Sequence, residues 1–228
     1  MISTKLTKVI LVGVVALTAN ASLADVNHYI EGQINISNPR DVDTKALTGT
    51  VSGITYTGAK ADFEFDSDTT LGVEFGVSNL YNSNFRVGFS YTKPRIKLDK
   101  ATLSGEISSG GVTLTGPVSV TPADFATVGL SFDNDVRLYM INTYYDFDEI
   151  ASIKPFVGIG IGMADIENAK DNKLTLAAIV GAKHYFNEKV YLGGKLNYSH
   201  IKGPKDKLGL DYEDISFYTG SLVVGYEF

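Results

Sequence analysis

The last eleven residues of the chain, YTGSLVVGYEF at positions 218–228, alternate with a period of two. In an extended strand this period places Tyr218, Leu222, Val224, Tyr226 and Phe228 on one face. An apolar stripe that ends in a terminal aromatic residue needs a non-aqueous neighbour, and a lipid bilayer crossed by a β-barrel is the simplest one. Because several other segments show the same alternation, this feature constrains the whole chain. The segment at 136–147 is apolar on both faces, and we place its odd-numbered residues outward because this keeps Asn142 out of lipid.

The repeated alternation predicts an all-β fold, namely a transmembrane antiparallel up-and-down β-barrel of eight strands. Outer-membrane barrels have an even number of strands, each of roughly ten residues. We expect the strands at residues 30–36, 71–78, 85–92, 136–147, 155–163, 174–186, 189–200 and 215–228.

The lengths of the connections predict how the barrel is oriented. Short turns belong on the periplasmic side and long loops outside the cell. The short links are 79–84, 148–153 and 187–188, and the long ones are 37–67, 93–135, 164–173 and 201–214. Alternation at 112–120 and 127–132 leaves a ten-stranded barrel open, but Pro117 favours a solvent-exposed hairpin above the membrane.

Residues 1–24 have the features of a secretory signal peptide, with Lys5 and Lys8, an apolar run and a small residue at Ala24. We therefore expect residues 25–228 to form the barrel domain. Without the signal, 18 basic side chains face 26 acidic ones, a net charge of −8, which argues against nucleic acid as a partner. Cysteine is absent, so neither disulfides nor thiolate metal sites are possible.

Charged residues within the strands indicate which face lines the barrel lumen. A basic side chain facing lipid at the bilayer midplane costs roughly 2–4 kcal/mol. An eight-stranded barrel has an interior just filled by side chains, so mixed charges there are expected to pair. This favours a salt-bridged core over an open water channel. The residues expected in the lumen are Glu31, Glu74, Arg86, Lys183, Lys195 and Glu227.

Aromatic residues near the strand ends are expected to form two girdles at the lipid–water boundaries. They are Tyr29, Tyr91, Tyr139, Tyr145, Tyr185, Tyr198, Tyr218, Tyr226 and Phe228. Basic residues follow two of them: Lys93, Arg95 and Lys97 after Tyr91, and Lys202 after Tyr198. Because lysine and arginine suit phosphate, we expect these four residues to contact lipopolysaccharide.

The sequence offers little catalytic chemistry, and we expect the protein not to be an enzyme. Of the three histidines only His200 falls near the outer rim. Its neighbour Ser199 points to the opposite face of a strand, so only a loop acid such as Asp214 is left as a partner. The acidic run DFEFDSD at 62–68 has no established metal-loop spacing. We therefore expect no cofactor and no bound metal.

Three local motifs resemble those of small outer-membrane barrels, the group that includes opacity proteins and the transmembrane domain of outer membrane protein A. They are ASIKPFVGIGIGMA at 151–164, YYDF at 144–147 and VGYEF at 224–228. The resemblance implies that the protein lies in the outer membrane of a Gram-negative envelope and that it is a monomer. It also implies that Tyr226 and Phe228 are read by the barrel assembly machinery.

The same resemblance implies a structural or adhesive role, in which the loops at 37–67 and 93–135 meet a host or surface ligand. A small diffusion channel, as in porins, is the main alternative. A lipid-modifying enzyme centred on His200 is the third.

Overall fold

The computed structural model describes residues 26–51, 53–80, 83–127, 134–167, 169–203 and 213–228. The predicted signal peptide at 1–24 lies outside these residues, so the domain boundary after Ala24 stays a prediction.

No helix among the described residues is long and apolar enough to cross a bilayer.

The described chain consists almost entirely of antiparallel strands. Only one short helix, α1, interrupts them. The strands are β1 (Asn27–Pro39), β2 (Val42–Asp43), β3 (Leu47–Val51), β4 (Ile54–Asp66), β5 (Asp68–Ser78), β6 (Phe85–Thr92), β7 (Arg95–Ser109), β8 (Val112–Thr115), β9 (Val118–Val120), β10 (Asn134–Asp146), β11 (Lys154–Ile166), β12 (Lys173–Tyr185), β13 (Val190–Ile201) and β14 (Ile215–Glu227), and α1 spans Pro122–Thr127.

Eight of these strands close into a barrel, in the order β1, β5, β6, β10, β11, β12, β13, β14 and back to β1. The closure pairs the first strand with the last, from Tyr29↔Glu227 to Pro39↔Phe217. At the end of the barrel that carries the short turns, His28 and Phe228 exchange two backbone hydrogen bonds of 3.2 and 2.9 Å. The eight-stranded barrel predicted from the alternation is confirmed.

Side chains alternate between lumen and membrane along every barrel strand. β10 was the hardest case, because it is apolar on both faces; Asn142 is buried there with the other even-numbered residues, whereas Ile141 faces outward. Glycines on β11 leave room in the crowded interior. A Cβ at Gly158 would lie 2.5 Å from the Tyr144 ring, and one at Gly160 would lie 2.4 Å from the Asn142 amide oxygen.

The predicted loops at 37–67 and 93–135 are largely strands, so their description as loops was wrong. Long β4 pairs with long β7, β3 and β2 pair with β4, and β8 and β9 pair with β7. We call these six strands the outer sheet. It continues from the barrel at the end opposite the short turns, through pairs such as Asn134↔Ile96 between β10 and β7.

The segment that suggested a ten-stranded barrel belongs to this outer sheet. β8 and β9 pair only with β7 among the described strands, and neither joins the barrel. Residues 128–132, the rest of the second alternating segment, lie outside the described part of the chain.

Two predicted girdle residues face the lumen instead. Tyr29 is fully buried, and its hydroxyl donates to Glu74 at 2.7 Å. Tyr185 donates to Glu227 at 2.7 Å and packs on Tyr191. The odd-numbered residues of β1 and β12 face the lumen, and both tyrosines have odd numbers. Their parity along the strand therefore decides where they point, although both lie near a strand end.

Candidate functional site

The lumen contains a layer of paired charges near its middle. Glu31 on β1 accepts hydrogen bonds from Arg86 Nη1 at 2.9 Å and from Lys195 Nζ at 2.8 Å. Tyr191 donates a third at 2.8 Å. Lys195 also reaches Glu74 at 3.2 Å, so four different strands meet in one network. All four charged side chains are buried.

Aromatic hydroxyls and rings complete this layer. Glu74 accepts from the hydroxyls of Tyr29 at 2.7 Å and Tyr144 at 2.8 Å. The Arg86 guanidinium lies 4.0 Å from the centroid of the Tyr144 ring and 5.0 Å from that of Phe156, within cation–π range. Buried charges are tolerated when they are paired and hydrogen-bonded. Each charged group of this layer has an oppositely charged partner, although the Arg86 Nε–H has no hydrogen-bond partner among the described residues.

A second set of charges lies between this layer and the short turns. Lys183 contacts Asp146 at 3.0 Å and Glu227 at 3.5 Å, and Arg86 links the two layers through Asp146 at 3.5 Å. The six charges expected in the lumen therefore lie there, joined by Asp146. Asp146 was not predicted, although it shares the even, inward parity of Asn142 on β10.

Two small spaces lie in the lumen, one on each side of this network. On the outer side is a cavity of about 40 Å³ lined by Gln33, Ser90, Asn197 and Thr219 among others. On the periplasmic side, a cavity of about 150 Å³ is bordered by Asp146 and Glu227. An apolar cluster then fills the outer mouth; its buried members are Val42, Ile96, Val136, Leu138, Ala164, Ile166, Ile201, Ile215 and Phe217.

The outer sheet has one polar and one apolar face. The pairings Leu103↔Val118 and Ile107↔Leu114 place alternate β7 residues and their partners on the same side. On that side Val112 and Leu114 are 66% and 63% exposed. Hydroxyl pairs line the other side, Thr102 with Ser119 at 3.2 Å and Ser108 with Thr113 at 2.8 Å.

The basic residues after Tyr91 are neutralised by carboxylates. Lys93 and Arg95 both pair with Asp135, and Lys97 pairs with Asp68 at 2.8 Å. The hydrogen bond from Lys93 outweighs burial and lowers the pKa of Asp135. Lipopolysaccharide phosphates would have to compete with these carboxylates. Lys202 lies across the barrel, exposed, just beyond β13.

His200 has a serine partner that could not be recognised without the strand register. Its Nδ1 lies 3.3 Å from the Ser216 hydroxyl, directly opposite on β14, and its Nε2 lies 3.1 Å from Asp214. The Ser216 hydroxyl also contacts the Tyr198 hydroxyl at 3.1 Å. These contacts all lie on the outward face of the β13–β14 pair, at the outer rim of the barrel.

Among the described residues, no group of three or more His, Asp or Glu side chains is arranged to hold a metal ion.

The family model for the outer membrane protein beta-barrel domain matches residues 8–228. Outer membrane protein PagN of Salmonella typhimurium is 25% identical in an alignment 208 positions long, which covers 81% of this chain and 78% of PagN. The crystal structure of Neisserial surface protein A aligns with a TM-score of 0.51 at 12% identity, over 88% of this chain and 97% of that one. OprG from Pseudomonas aeruginosa gives 0.51 at 14% identity, over 90% and 96%. At such identities the two solved structures show a shared fold.

Proposed function

This chain belongs to the outer membrane protein beta-barrel domain family, and from that membership we propose that it is a surface-interaction protein whose outer sheet binds a macromolecular ligand outside the cell. The proposal rests on one observation: the barrel carries an extended sheet beyond the membrane, with an exposed apolar face around Leu103, Val112, Leu114 and Val118. Clustered apolar residues exposed to water mark interaction sites.

Features of the sheet itself support a binding role. Hydrogen-bonded hydroxyl pairs join neighbouring strands on its polar face. Its strand β7 also pairs with β10 of the barrel, so the outer sheet is hydrogen-bonded to the barrel. Strands β3 and β8 are edges among the described strands, and an edge presents unpaired backbone groups to a partner. An amphipathic sheet held above the bilayer is therefore suited to adhesion more than to catalysis.

The lumen argues against the alternative of a small diffusion channel. Solute would have to pass the apolar cluster at the outer mouth and then the Glu31–Arg86–Lys195 layer. Planar-bilayer recordings of the refolded protein are expected to show no reproducible open steps. Steps that disappear in an Arg86 variant would instead favour the channel.

Adhesion tests the proposal directly. We expect the triple substitution Val112→Thr, Leu114→Thr, Val118→Thr to lower the adherence of expressing bacteria to an epithelial monolayer, because threonine keeps strand propensity and removes apolar surface. The matched control changes the polar face by Thr113→Ser, Thr115→Ser, Ser119→Thr. Both variants must reach the wild-type surface level. Equal adherence of the two would contradict the proposal.

The partners implied by the family resemblance enter the proposal as well. We infer that the chain is monomeric, that it lies among outer-membrane lipids, and that the assembly machinery reads Tyr226 and Phe228. Both aromatic side chains are exposed on the outward face, with ring centroids 5.8 Å apart. We also infer that the protein is not an enzyme, in keeping with the occupied hydrogen-bonding groups around His200.

A further inference from the structure

The membrane-facing wall of the barrel is not smooth. A groove of about 530 Å³ crosses β12, β13, β14 and β1, and its outward lining is Ile36, Asn38, Ala178, Val180, Leu196, Tyr198, Tyr218 and Gly220. This volume is within the range of roughly 300–1,000 Å³ that is usual for ligand sites. The groove is lined mainly by apolar atoms, as a site for hydrocarbon requires.

Gly220 is responsible for much of the depth. It pairs with Leu196 on one side and Ile36 on the other, two large side chains that form the edges of the depression. A Cβ at Gly220 would meet only a Leu196 methyl at 3.9 Å, so the space above it is open. Two residues further toward the outer end of the barrel, Tyr198 and Tyr218 pack together with ring centroids 5.1 Å apart.

Basic residues lie just beyond this tyrosine pair. The Arg40 backbone N–H donates to the Ser216 carbonyl oxygen at 2.8 Å, which places Arg40 beside Ser216 at the rim. The Lys202 backbone N–H donates a hydrogen bond to the Leu174 carbonyl oxygen at 3.1 Å. The Lys202 side chain is expected on the membrane-facing side because Tyr198 and His200, at the same parity, lie there. Both side chains are exposed, and no described carboxylate pairs with either. The nearby Asp214 pairs with His200.

We propose that this wall binds one molecule of lipopolysaccharide through its lipid A part, with an acyl chain in the groove over Gly220 and phosphates at Arg40 and Lys202. From Gly220 to Ser216 the strand rises four residues, roughly 13 Å at 3.3 Å per residue, which separates hydrocarbon from headgroup. Arg40 and Lys202 flank β14 from the two neighbouring strands, and Lys202 lies two residues further out than Arg40. Two strand spacings of 4.8 Å and this offset separate their backbones by roughly 12 Å.

That separation selects between lipids. Lipid A carries a phosphate at each end of a disaccharide and so engages both cations, whereas phosphatidylglycerol carries a single phosphate in its headgroup. The site also lies at the end of the barrel that carries the outer sheet, hence in the outer leaflet, where lipopolysaccharide resides. It differs from the strip at Lys93, Arg95 and Lys97, whose charges are already paired.

Native mass spectrometry of the full-length barrel in detergent, with purified lipid A as the probe, tests the site. We expect the wild type to retain one lipid A and Gly220→Leu to lose it, because the leucine fills the groove. Gly32→Leu is the matched control: Gly32 is also on the outward face of the barrel, and a Cβ there meets nothing within 4 Å. Arg40→Gln and Lys202→Gln are each expected to weaken retention about tenfold, as loss of a charge-assisted contact does.

Assembly of each variant is checked by its heat-modifiable mobility in gels. If Gly220→Leu does not assemble, Ala178→Leu fills the same groove from β12 and is judged by the same criterion. Wild-type retention of lipid A in an assembled groove variant would overturn the proposal. So would retention of phosphatidylglycerol equal to that of lipid A, since it would show general detergent or lipid adhesion.

Discussion

Replacing Arg86 by methionine is expected to destabilise the barrel more than any exposed ion-pair change. The Arg86 side chain is 0% exposed and contacts Glu31 at 2.9 Å and Asp146 at 3.5 Å. Methionine fills a similar volume but leaves both carboxylates with one cation fewer. Removing one partner of a buried pair costs about 3–5 kcal/mol. Here Lys183 and Lys195 would be left to neutralise the four lumen carboxylates Glu31, Glu74, Asp146 and Glu227.

The size of this effect depends on burial, so the control is an exposed pair. Arg137 contacts Asp165 at 3.0 Å, but the two side chains are 40% and 28% exposed. Such pairs contribute about 0–1 kcal/mol, and we expect Arg137→Met to stay within that range.

The assay is urea unfolding of the protein inserted in lipid vesicles, followed by far-UV circular dichroism and by gel mobility without boiling. A double variant sharpens the test, since Glu31→Gln removes one of the carboxylates that Arg86 neutralises. We expect Arg86→Met with Glu31→Gln to cost less than the sum of the two single changes, by about 0.5–3 kcal/mol. Full additivity, or an Arg86→Met cost under about 1 kcal/mol, would refute an electrostatically coupled lumen.

Three further predictions concern other parts of the molecule. Gly76→Ala should destabilise the barrel by about 1–3 kcal/mol, because its Cβ would lie 2.1 Å from the Val87 carbonyl oxygen, whereas Gly32→Ala should be nearly neutral in the same unfolding assay. In a carbon-detected NMR titration, the Asp135 carboxyl should titrate below its ordinary pKa, and the stability that it contributes should be lost as the pH falls through that lowered pKa. In the same titration the Asp62 carboxyl should titrate above its ordinary pKa, because burial and the nearby Asp43 both disfavour its charge. Deleting Phe228 should reduce the amount of folded barrel recovered from outer membranes without changing synthesis; an unchanged yield would remove the terminal residue from the assembly signal.

The barrel could be predicted because charges reveal the parity of its strands. Glu74 and Arg86 each share a face with glycine or serine, and a charge cannot face hydrocarbon cheaply. Even β10, apolar on both faces, was oriented by one polar residue. Asn142 lies inward, where its amide donates to Ser90 at 2.9 Å and to Glu74 at 3.2 Å. Tyr29 was misplaced because position near a strand end was weighed above parity.

The outer sheet could not be predicted because no membrane imposes a pattern on it. Only its part nearest the barrel packs on the apolar cluster at the outer mouth, through Val42 and Ile96. The pairing of β4 with β7 also joins segments some forty positions apart, such as Phe63 with Ala101. Alternation at 62–68 was therefore interpreted as an acidic run. Arg40 and Ser216 escaped notice for a related reason: neither forms a motif, and each becomes informative only when the register sets them side by side.

The ion network also favours the register in which the barrel closes. Closure joins β1 to β14, and a slip of one residue would turn Glu31 or Glu227 toward lipid. A slip of two residues keeps the faces but moves Glu31 away from Lys195 and Arg86, which lie on other strands at 2.8 and 2.9 Å. The alternation of apolar and polar residues permits this two-residue slip, but the loss of the buried ion pairs disfavours it. The buried charges therefore favour one pairing register, a structural role that does not depend on conduction.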